Sequence, residues 1–92
     1  MSETDVPLVR STGPQFRSLR DETVMFHPDV GKYFALDAVG SRVWELLERP
    51  ATVDELCARL TAEFDVDAAT CAEQVLALVA DLRASQLVEE AR

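Results

Sequence analysis

Ninety-two residues make one small domain, and an apolar share of 48% with mean hydropathy near zero (−0.02) excludes a disordered chain. No apolar run approaches the ~18 residues of a membrane helix. The opening MSETDVPLVR is acidic and lacks the apolar stretch of a signal peptide, so a cytoplasmic protein is expected. The net charge of −8 sits almost wholly after Ala35, where twelve acidic residues face five basic ones. Such a surface repels nucleic-acid phosphate and draws in cationic partners.

Taken in chain order, residues 1–14 read as an extended or poorly ordered segment, and 15–92 as the domain. PLVR (7–10) is a candidate strand that Pro7 confines to an edge. STGP (11–14) breaks the chain, and a strand is expected within QFRSLR (15–20). TVMFH (23–27) and KYFAL (32–36) are aromatic and branched. PDVG (28–31) between them has the Pro and Gly of a hairpin loop. Alternation groups Val24 with Phe26, and Phe34 with Leu36.

Three helices follow. Asp37 is a good N-cap for the first, which stacks Val39, Val43, Leu46 and Leu47 on one stripe with Trp44 beside it and ends at Pro50. TVDE (52–55) is a capping box, and opens a helix whose stripe is Val53, Leu56, Leu60 and Phe64. DVD (65–67) interrupts the pattern. The third helix starts near Asp67 or Thr70 and runs to about Ser85, and LVEE (87–90) closes as a short extended tail. The expected fold is α+β: a three-stranded antiparallel sheet followed by three helices.

No catalytic constellation is visible. The one histidine, His27, reads as a partly exposed strand residue with no base or third group around it. Phosphate-cradling glycine motifs are missing, so no cofactor is expected. Cys57 and Cys71 lack CxxC spacing and read as reduced apolar residues on helix faces, and no metal site is expected.

Binding is the remaining class. At about 100° per residue, Cys71, Val75, Leu78 and Leu82 form one stripe of the third helix. Leu76 and Val79, flanked by Ala72 and Arg83, form a second apolar shoulder. If KYFAL is a sheet edge beside that helix, an unpaired backbone template faces an apolar wall, the geometry for adding a peptide strand.

YFALD, AVGSRVWELLE, ATVDELCARLTAEFDVD and LVADLRASQLVEE, in this order and spacing, resemble the PqqD-like family, or RiPP recognition elements. Leu36, Asp37, Gly40, Val43, Trp44, Leu47, Thr52, Val53, Glu55 and Leu56 carry the match. The family's final Gly is replaced in SQLV (85–88), and Asp37 stands where Asn is common. The resemblance implies a winged-helix-like domain that binds the leader segment of a ribosomally made precursor peptide and delivers it to a separate leader peptidase or other modifying enzyme. Carried over, the leader lies on Lys32, Tyr33, Phe34, Ala35, Leu36 and Asp37, against Ala72, Leu76, Val79 and Arg83. The chain looks most like the stand-alone recognition proteins of lasso-peptide biosynthesis, with the peptide chaperone of pyrroloquinoline quinone biosynthesis as the rival. A winged-helix DNA-binding protein is the alternative of another class. Its reading helix would have only Arg59, Gln74 and Arg83 among many acids.

Overall fold

The structure, a computed structural model, describes residues 3–91. Met1, Ser2 and Arg92, which lie in the two expected segments, fall outside that range. After a 3-10 turn at Glu3–Asp5 come strands β1 (Leu8–Arg10), β2 (Gln15–Leu19), β3 (Glu22–His27) and β4 (Lys32–Leu36). Helices α1 (Ala38–Leu46), α2 (Val53–Glu63) and α3 (Ala68–Ala84) follow, then strand β5 (Val88–Glu90). β2, β3 and β4 form an antiparallel sheet in that order, and β1 pairs antiparallel with β5 in a second, two-stranded one. The expected α+β architecture, a three-stranded sheet followed by three helices, is the observed one. No described helix is long and apolar enough to cross a membrane.

Each helix begins where a side-chain oxygen satisfies a free amide. Asp37 accepts from the Gly40 amide at 2.8 Å, and Asp67 from the Thr70 amide at 2.8 Å. Thr52 and Glu55 form the reciprocal capping box, at 3.1 and 2.9 Å. The end of α3 is a Schellman turn: Leu87 N–H donates to the Leu82 carbonyl at 2.8 Å and Gln86 N–H to Arg83 at 3.1 Å. Gln86 holds the left-handed position, φ 61°, usually given to glycine.

The core gathers Val43, Trp44 and Leu47 from α1, Val53, Leu56 and Leu60 from α2, and Cys71, Val75, Val79 and Leu82 from α3. Met25 and Leu36 come from the sheet, and Leu8, Leu87 and Val88 from the two chain ends. Strand β1 is packed: Leu8 is 1% exposed and exchanges backbone bonds with Ala51 at 2.8 and 2.9 Å. Arg10 N–H donates to Leu47 at 3.0 Å, and Ser11 N–H to Leu87 at 2.9 Å. The Arg10 guanidinium also lies over the rings of Phe16 and Trp44, which meet edge to face at 5.5 Å.

Val24 and Phe26 do share a face, and it is the outward one. Thr23, Met25 and His27 face the helices. His27 is therefore a correction: it is buried, 4% exposed, and its Nδ1 accepts from the Asp29 amide at 3.3 Å. The 28–31 turn brings that amide to Nδ1, and Gly31 makes the turn possible with φ +74°.

Leu8→Ala should cost about 2–4 kcal/mol in urea denaturation, because the cavity opens inside the core rather than in a loose arm. Gln86→Gly should raise stability by about 0.5–1 kcal/mol in the same assay, by relieving a left-handed side-chain residue. A loss on Gln86→Gly would mean that the Gln side chain contributes more than its backbone costs.

Candidate peptide-binding groove

β4 is hydrogen-bonded on one side only. Its five residues pair with β3, from His27 opposite Lys32 to Thr23 opposite Leu36. Alternate residues of such an edge direct their N–H and C=O groups away from the sheet. Across the open side lies α3, held by its packing on α2. Between them runs a groove of about 480 Å³, lined by Ala35, Leu36, Asp37, Val39, Gly40, Gln74, Val75 and Leu78.

Its floor is set by a close approach. A Cβ on Gly40 would meet Leu36 Cβ at 3.2 Å and Asp37 Oδ1 at 3.3 Å, so glycine lets the first turn of α1 seat against the end of β4. Leu36 and Val75 are buried there, and Val39 and Leu78 are half-buried. The lining has one charged side chain, Asp37, and one uncharged polar side chain, Gln74.

The ten residues expected at the site divide. Ala35, Leu36 and Asp37 line the groove. Lys32, Tyr33 and Phe34 belong to the same strand without lining that cavity. Phe34 pairs opposite Met25 and is half-buried on the inner face. Tyr33 is 75% exposed on the outer face, its ring 4.6 Å from that of Phe26.

The four residues expected on α3 do not line this groove. Val79 is 5% exposed and belongs to the core. Ala72 and Leu76 are half-buried and Arg83 is exposed, its guanidinium 3.2 Å from Glu90. At about 100° per residue these three lie on one flank of the buried stripe of Cys71, Val75, Val79 and Leu82, while Gln74 and Leu78 lie on the other. The groove opens on the flank of Gln74 and Leu78. The apolar pattern has two possible shoulders, and only the side on which the sheet packs decides between them.

Other candidate chemistry is placed elsewhere. Among the described residues no group of three or more His, Cys, Asp or Glu could hold a metal ion. Cys57 and Cys71 are free thiols. Burial, and then the neighbouring Cys71 thiol, push Cys57 up to about 11, so it carries little thiolate at neutral pH. A second cleft, between the end of α1 and α2, has Arg49, Glu55 and Arg59 around Leu46, Ala51, Leu56 and Ala58.

A scan against family models matches residues 22–88 to coenzyme PQQ synthesis protein D (PqqD). No curated protein matches the sequence. Among solved structures, the chain is similar to TbiB1 in complex with the TbiA(beta) leader peptide. That similarity is 33% identity and a TM-score of 0.81, over 91% of this chain and 98% of that one. The PqqD truncation of Methylobacterium extorquens PqqCD, described as a stand-alone RiPP recognition element, is 26% identical with a TM-score of 0.75, over 97% of this chain and 94% of that one. Lasso peptide synthetase B1 complexed with its leader peptide shares the fold: 16% identity and a TM-score of 0.76, over 89% of this chain and 96% of that one. With the family model spanning both the groove-forming strand and α3, the chain belongs to the PqqD-like family of RiPP recognition elements.

Proposed function

We propose that this chain is a non-catalytic recognition protein. It binds the leader segment of a ribosomally made precursor peptide, of the lasso type, and delivers it to a separate leader peptidase or other modifying enzyme. The observation that carries this reading is the free edge of β4 facing the apolar wall of α3. The leader adds to Lys32–Asp37 as a fourth strand. Backbone bonds supply affinity, and alternate side chains enter the groove over Leu36, Val75 and Leu78. In this proposal the α3 wall is formed by Gln74, Val75 and Leu78, the α3 residues that line the groove. Two structures with similar folds hold leader peptides, which supports the same ligand class here.

Calorimetry with the leader of a precursor encoded beside this gene should give one-to-one binding at about micromolar affinity or tighter, near −8 kcal/mol. Absence of saturable binding would remove the proposal. Mass spectrometry of precursor incubated with this protein alone should show no mass change, and conversion without an enzyme partner would contradict the non-catalytic role.

Substitutions on α3 separate the groove from the core. Leu78→Glu should keep the fold and weaken leader binding at least about tenfold, because a carboxylate must be desolvated when the peptide docks. Val79→Glu, one residue on, should instead unfold the domain, since it buries an unpaired charge. Thermal melts and calorimetry on the pair decide it: a Leu78→Glu protein that binds leader unchanged places the site elsewhere.

A further inference from the structure

Asp37 stands at one end of the groove, directly after Leu36, the last residue of β4 paired with β3. Its Oδ1 caps α1 through the Gly40 amide. That task needs an oxygen acceptor and no charge: Asn and Ser serve about as well as Asp at an N-cap. The first turn of α1 compensates part of the carboxylate's charge without requiring it. Among the described residues no Lys or Arg forms an ion pair with Asp37. The groove lining holds no basic side chain, and the protein as a whole carries a net charge of −8.

These facts have a consequence for what the groove accepts. An apolar floor of Leu36, Val75 and Leu78 takes an apolar side chain of an added strand. Immediately beside it a carboxylate is exposed to the same strand. A basic residue there gains a partner, and an acidic one meets a like charge at the end of an acidic protein.

We propose that Asp37 determines the sequence specificity of the groove: the peptide it takes carries an apolar anchor and, next to it at the Asp37 end, a lysine or arginine. The proposal rests on the groove being the leader site and adds the class of leader that it selects. Asp37 thus has two roles on one side chain, Oδ1 for the cap and the net charge for the ligand. Attraction from the surrounding acidic surface adds to the association rate of such a peptide and fades with salt.

The test selects short peptides from a random display library on the full-length protein and on Asp37→Asn, which retains the cap and should melt at the same temperature. The expected result is enrichment of an apolar residue with a neighbouring Lys or Arg on the unmodified protein, and loss of the basic preference on Asp37→Asn. Fluorescence anisotropy then compares one enriched peptide with its Lys→Gln version. The unmodified protein should prefer the basic peptide about threefold to fivefold, the range of a partly exposed ion pair. That ratio should approach one in Asp37→Asn and in about 1 M salt. Enriched peptides without a basic preference, or a preference that survives Asp37→Asn, overturn the proposal while the groove stands. Failure to enrich any peptide, together with no leader binding, overturns the groove itself and this inference with it.

Discussion

One row of unpaired backbone groups organises this protein. β4 completes its bonds to β3 and leaves its other edge without a strand. Buried backbone groups need partners, so an edge lying against protein must be paired, and an edge facing open space is paired by water. Here α3 stands across the edge and the groove keeps the two apart. The edge is short, with Lys32 at one end and Asp37 just past the other, features that discourage indiscriminate strand pairing between copies. A peptide that brings its own strand and an apolar side chain for the α3 wall satisfies both surfaces together.

The rest of the fold holds that edge in place. Gly40 lets α1 seat against the end of β4, so that Leu36 becomes the groove floor while remaining part of the core. α2 packs on α3, and α3 ends in a turn that delivers Leu87 and Val88 to the core and β5 to β1. β1 in turn is stitched to Leu47 and Ala51, both in the connection between α1 and α2. Arg10, stacked on Phe16 and Trp44 and 3.8 Å from Glu48, ties β2 to α1. β1 and β5 thus tie the connection between α1 and α2 to the end of α3.

Much of this was legible because it is local. Asp37 and the Thr52–Glu55 pair announce two helices through chemistry that acts over a few residues, and both cap as expected; the third helix, expected to start near Asp67 or Thr70, is capped by Asp67. The hairpin of β3 and β4 is equally local, marked by aromatic and branched runs around PDVG. What the sequence left open is what depends on packing. Alternation groups Val24 with Phe26 without saying which face meets the helices, and the helices take Thr23, Met25 and His27. Helical periodicity puts Leu78 on the core stripe and Val79 on the shoulder, and the packing exchanges them: Val79 is buried and Leu78 lies half-buried in the groove wall. PLVR reads as an edge because of Pro7. Its partner strand is some eighty residues away, as the pairing of Leu8 with Glu90 shows, and no short-range pattern announces it.

The central claim is that a peptide strand pairs with the free edge of β4. The most direct measurement is an NMR titration of the isotope-labelled protein with its leader, followed by intermolecular distance contacts in the complex. The account predicts the largest shifts at residues 32–37 and at Gln74, Val75 and Leu78, with cross-strand contacts between leader backbone protons and those of β4. Contacts confined to another surface, such as the Arg49 and Arg59 cleft, with the amides of β4 unmoved, would contradict it.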